Sequence, residues 1–102
     1  MKRRFHLSPA ARGDLSDIWN YSVDHWGEAQ AERYLPPIQE ACERLRERLR
    51  EKPLLGSGCD FVRPGYRCLP VQSHRLFYRL GDDGHVDVIR ILHKAMQPRA
   101  GI

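Results

Sequence analysis

Residues 66–92, "YRCLPVQSHRLFYRLGDDGHVDVIRIL", decide the fold. Three runs within them, Tyr66 to Val71, Arg75 to Leu80 and Val86 to Leu92, alternate polar and apolar residues with the period of two that suits a strand wet on one face. "QSH", residues 72–74, turns the chain between the first two. "GDDGH", residues 81–85, supplies the glycine and aspartate that a hairpin turn favours, because they accept positive φ or bond their own backbone. The expected product is a three-stranded antiparallel meander.

Moving toward the N-terminus, "LLGSGCD" at residues 54–60 reads as loop, and before it the period changes to that of a helix. From about Glu28 to Glu51, Ala31, Tyr34, Leu35, Ile38, Ala41, Cys42, Leu45 and Leu49 form one apolar stripe. Glu40, Glu43, Arg44, Arg46, Glu47, Arg48 and Arg50 make the other face, whose plain reading is a solvated surface. Pro36-Pro37 interrupts the stripe, and each proline removes an i to i−4 bond. The stripe stays in phase across them, so the expectation is one helix kinked between Tyr34 and Ile38. An earlier helix starts at Ser8-Pro9, where the serine can cap a backbone N–H and the proline loses no bond. It carries Ala11, Leu15, Ile18 and Ser22 on one face with Trp19 and Trp26 alongside, and Gly27 ends it. Arg4 to Leu7 is a short candidate first strand. The fold class expected is therefore α+β: an N-terminal strand and an antiparallel helical hairpin, packed on a small antiparallel β-sheet.

The chain has 102 residues, read as one domain over 1–102, long enough to bury a core without metal or disulfide. Cys42, Cys59 and Cys68 are odd in number and lack zinc-knuckle spacing, so three reduced thiols in a cytoplasmic protein are expected. "MKRRFHLSPAAR" has a basic opening but no apolar signal-peptide segment, and no run approaches the ~20 apolar residues of a membrane span. The net charge of +4 comes wholly from residues 52–102, which carry eight Lys/Arg against four Asp/Glu. That half is the expected face for an acidic partner.

Strand parity sorts the polar residues. In the last run Val86, Val88, Arg90 and Leu92 share one face, and Asp87, Ile89, Ile91 and His93 the other. Arg90 and His93 then point apart, and without a β-bulge or an end of the strand before His93 they do not converge on one phosphate. Arg75, Phe77 and Arg79 share a face in the middle run, and Arg67 lies with Leu69 and Val71. Arginines on three neighbouring strands make either a basic binding patch or plain exposed positions that keep sheet edges soluble. His6, His25, His74 and His85 have no metal-ligand spacing. Cys59 and Cys68 lack a neighbour that would activate a thiol, and no phosphate-binding glycine loop or nucleophile elbow is present.

"LSPAARGDLSDIWNY" (7–21), "RPGYRCLPVQSHRLFYRL" (63–80) and "DVIRILHKAM" (87–96), in this order, resemble the ParE toxins of the RelE/ParE superfamily over nearly the whole chain. The resemblance implies a strand, a helical hairpin and a three- to four-stranded sheet. It implies a toxin neutralised in a hetero-oligomer by a ParD-like antitoxin and directed at DNA gyrase without being an enzyme. RelE-like relatives instead cut messenger RNA on the ribosome. On that alternative Arg90 and His93 would be catalytic, but only Lys94 follows them, and "LLGSGCD" brings no lysine cluster to stabilise a phosphorane. The deficit favours gyrase. Target-binding candidates are Arg67, Arg75, Arg79, Arg90, His93 and Lys94, with the C-terminal tail beside them. Antitoxin-binding candidates, in an apolar groove between helices and sheet, are Leu15, Trp19, Leu45 and Leu49. No cofactor, metal or membrane is expected, nor nucleic-acid binding by the chain alone.

Overall fold

The computed structural model describes residues 5–52, 55–58, 65–81 and 85–94. The basic N-terminal residues, Cys59, the tip of the 81–85 turn and the C-terminal tail lie outside the described residues. In chain order come β1 (Phe5–Leu7), α1 (Pro9–Trp26), α2 (Glu28–Glu51), β2 (Ser57–Gly58), β3 (Arg67–Val71), β4 (His74–Leu80) and β5 (Val86–His93). The strands form one sheet in the order β1-β5-β4-β3-β2. The expected meander is β3 to β5, each pair antiparallel.

Two details of the sheet differ from the sequence reading. It is mixed, because β1 lies parallel to β5, with Phe5 opposite Val86 and Leu7 opposite Val88. A parallel neighbour needs a long crossover, and the hairpin plus the meander supplies it. Ser57–Gly58, read as loop, forms the two-residue edge strand β2 against Cys68 and Arg67. Nearby Gly56 has φ +83, and a Cβ there would come within 2.7 Å of the Cys68 carbonyl oxygen and of the Tyr78 hydroxyl, so only glycine fits this approach.

The helical hairpin follows from its caps. Ser8 Oγ accepts the Ala11 N–H at 3.0 Å and donates to the Ile89 carbonyl at 2.6 Å, so one side chain both starts α1 and ties it to β5. Gly27, at φ 91, ends α1 and begins α2. Proline does not split α2, which runs as one helix through Pro36 and Pro37. Its buried side chains Ala31, Ile38, Cys42, Leu45 and Leu49 keep the helical period on both sides of the prolines, and that burial holds the helix in register across the missing bonds.

Apolar residues cover both faces of the sheet. Ile38, Cys42, Leu45, Leu76, Tyr78, Val86, Val88 and Ile91 form the core under the helices. Tyr66, Phe77 and Leu92 form a smaller cluster with Cys68 and Ile89. Between Phe77 and Tyr78 the pairing slips: Phe77 faces Arg90 but Tyr78 faces Val88, which leaves Ile89 as the extra residue of a β-bulge. The expected grouping of Val86, Val88, Arg90 and Leu92 on one face is therefore wrong. Val86 and Val88 share the helix-side core with Ile91, while Leu92 packs in the other cluster with Ile89.

Candidate functional site

A cleft of about 610 Å³ opens where the last turns of α1, Tyr34 of α2, the β3–β4 turn and the end of β5 meet. Two joints fasten the helices to the sheet at its walls.

The first joint is ionic. Asp14 lies on the buried face of α1 with Ala11, Ile18 and Ser22. Its carboxylate accepts Arg90 Nε and Nη2, both at 2.8 Å, and the backbone N–H of Ile91 at 2.8 Å. Such a two-toothed guanidinium–carboxylate pair is among the stronger charge-assisted bonds. Hydrogen bonding to Asp14 raises the Arg90 pKa, burial opposes that rise, and the charges of Asp14 and Asp17 add to it.

The second joint is neutral. Tyr34 Oη accepts the Ser73 N–H at 3.3 Å and lies 2.8 Å from His74 Nδ1. A hydroxyl has one proton and two lone pairs, so the Tyr34 oxygen can serve the Ser73 N–H and the imidazole together. Burial, and then the neighbouring His93, lower the His74 pKa below the ordinary 6.5, with partial opposition from Asp14. Gln72 Nε2 donates to the Tyr34 carbonyl at 2.7 Å, next to the prolines, and the Lys94 N–H donates to the Ser73 carbonyl at 2.8 Å.

Arg90 and His93 both line this cleft, contrary to the expectation that they look away from each other. Their pairing partners, Phe77 and His74, do keep them on opposite parity. But β1 pairs only as far as Val88, so the following stretch of β5 meets α1 directly and Arg90 reaches round to Asp14. The cleft is not cationic, because Asp14 matches Arg90 and Asp17 also lines it.

The remaining candidates scatter. Arg67 donates through Nη2 to the carbonyls of Leu55 and Gly56, both at 3.2 Å, and so holds the loop before β2. Arg79 Nε sits 3.4 Å from Asp87, which His85 also approaches at 3.2 Å. Arg75 and Lys94 are exposed. The patch expected from three strands is thus divided, since Arg67, Arg79 and Arg90 each hold a partner of their own. Of the antitoxin candidates, Leu45 and Leu49 are core residues and offer a partner no open face. Leu15 packs half-buried against that core, and Trp19 is half-buried. The groove between helices and sheet exists, but Ile18, Tyr21, Trp26, Tyr34, His74 and His93 are the side chains that give it its character. Cys42 is buried, which pushes its thiol up to about 12, and it cannot serve as a nucleophile. Among the described residues no three of His, Cys, Asp and Glu gather as metal ligands, and no helix is long and apolar enough to cross a membrane.

The family model for the ParE toxin of type II toxin-antitoxin systems, parDE, matches residues 5–98. Toxin ParE1 of Mycobacterium tuberculosis (strain H37Rv) is 46% identical over 96 residues, covering 94% of each chain. Toxin ParE1 of Caulobacter vibrioides is 40% identical over 96 residues with the same coverage. A chain of the solved chromosomal ParDE TA system from P. aeruginosa has the same fold, with a TM-score of 0.68 over 87% of this chain and 92% of that one, at 21% identity. With the match running from β1 past the end of β5, through both joints of the cleft, the chain belongs to the ParE toxin family of type II toxin–antitoxin systems.

Proposed function

We propose that this chain is a cytoplasmic toxin that a ParD-like antitoxin neutralises, and that it poisons DNA gyrase by binding it rather than by catalysing a reaction. The observation that carries the non-enzymatic reading is the Asp14–Arg90 pair. Cutting a phosphodiester needs cations free to meet charge as it develops. Arg90, the arginine best placed in the cleft, already holds a carboxylate. Purified toxin added to a gyrase supercoiling reaction should block it and accumulate cleaved plasmid. A reaction that runs unchanged removes gyrase as the target.

One observation favours a second reading, a ribosome-dependent endoribonuclease: Arg90 and His93 share a cleft with His74 and Tyr34. It predicts codon-position cuts in a message on translating ribosomes, lost in Arg90→Ala and His93→Gln. Identical cuts by the double variant would rule these two residues out. The antitoxin belongs in an adjacent reading frame as a small ribbon-helix-helix protein whose acidic, amphipathic C-terminal segment folds on this toxin.

A further inference from the structure

The cleft carries the opposite charge to the molecule around it. The chain as a whole is +4, yet with the imidazoles neutral the cleft holds two carboxylates, Asp14 and Asp17, against one guanidinium, Arg90. Asp14 and Arg90 cancel. Asp17 is exposed and in none of the ion pairs among the described residues, though its charge reaches Arg90 through space, which leaves the cleft with one negative charge in excess.

Beside this carboxylate stands an aromatic wall. Trp26 lies 5.8 Å from Tyr21, edge to face, and 5.9 Å from Tyr34, centroid to centroid, while His25 stacks on one face of Tyr21 at 3.7 Å and leaves the other ring surfaces to the cleft. Tyr21 and Trp26 are 55% and 54% exposed, an uncommon cost for two large rings side by side on a small chain. Asp17 precedes Tyr21 by one helical turn, so the carboxylate and the first ring share a face of α1.

We propose that this cleft is a docking site for a cationic side chain, an arginine carried on a segment of a partner protein. Ring faces are electron-rich and attract a cation, and a planar guanidinium both stacks on them and pairs with a carboxylate. The acidic antitoxin segment would meet Asp17 with like charge, so the arginine comes from a different segment than that one. A purely apolar segment would cover Asp17 without pairing it, which is costly. The cleft lies in the size range of pockets that enclose a side chain with some flanking backbone. The site does not rest on gyrase being the target, since the recognition chemistry is the same whichever protein supplies the arginine.

The test uses the whole chain and three blocked seven-residue peptides of alanine and leucine that differ at the central position: arginine, norleucine or glutamate. Binding is followed by tryptophan fluorescence and by the amide NMR shifts of Asp17, Tyr21, Trp26 and His74. The arginine peptide should saturate, with norleucine about ten-fold weaker and glutamate weaker still. Asp17→Asn and Trp26→Leu should each weaken the arginine peptide roughly three- to ten-fold. Both side chains are exposed, so circular dichroism and the thermal midpoint should hold. Equal affinity for all three peptides, no saturable shift by about 10 mM arginine peptide, or an Asp17→Asn variant that binds like the parent would each overturn the proposal.

Discussion

The two joints that close the cleft do the same mechanical task with different chemistry. At one, Asp14 on α1 grips Arg90 and the Ile91 N–H of β5 through three hydrogen bonds at 2.8 Å. At the other, Tyr34 on α2 holds the β3–β4 turn through Ser73, His74 and Gln72. The ionic joint is mostly buried, with the Asp14 side chain 10% and the Arg90 side chain 29% exposed. The neutral joint includes the exposed Gln72 and a group that titrates, His74. A partner entering this cleft meets a fixed wall and an adjustable one.

The largest expected effect comes from breaking the fixed wall. Asp14→Ala leaves a guanidinium and a buried N–H without their acceptor, and should cost about 3 kcal/mol, at the low end for a buried pair because Arg90 is partly exposed. Urea unfolding should show a lower midpoint with an unchanged slope. Combining it with Arg90→Met should recover part of the loss, because the stranded charge is removed. If the double variant is as unstable as the sum of the two singles, the pair is not a coupled unit.

Tyr34→Phe tests the adjustable wall. The hydroxyl serves Ser73 and His74 at once, so its loss should cost about 1–2 kcal/mol, again read from the urea midpoint. The wall's own signature lies in pH. His74 has a folded-state pKa below 6.5, so its contribution to stability is fully present above 6.5 and is lost as pH falls through the folded pKa. Imidazole NMR titration should place His74 below 6.5, because burial and the neighbouring His93 both disfavour its charged form. Acidification below 6.5 should therefore lower the urea midpoint of the parent.

Much of this architecture is legible without coordinates. Period and capping place both helices, and alternation with turn chemistry places β3 to β5. The pairing of β1 with β5 is not legible, because three residues carry too little pattern to choose a neighbour or a direction. The bulge at Ile89 is also hidden: it depends on the partner strand's register, and "VIRIL", apolar except for Arg90, alternates acceptably with or without it. For the site, Asp14 left a usable signal. It falls between Ala11 and Ile18 at helical spacing, on the face that burial claims, where an unpaired carboxylate would be costly. Its partner 76 positions away could be named only from the fold. Arg67 shows the converse, since a strand arginine that reads as surface charge is turned inward to two loop carbonyls.

The smallest effect separates the turn's own geometry from its grip on α2. Gln72 has φ 56, the left-handed region that costs a non-glycine residue roughly 1 kcal/mol, and its side chain bonds the Tyr34 carbonyl. Gln72→Ala keeps the backbone cost and loses the bond, so it should destabilise by about 0.5–1 kcal/mol. Gln72→Gly loses the same bond but relieves the backbone, at some expense through a freer unfolded chain, and should lie within about 0.5 kcal/mol of the parent. A glycine variant clearly more stable than the parent would mean the Gln72–Tyr34 bond contributes little. The adjustable wall would then hang on the tyrosine hydroxyl alone, and Tyr34→Phe should free the turn as completely as both changes together.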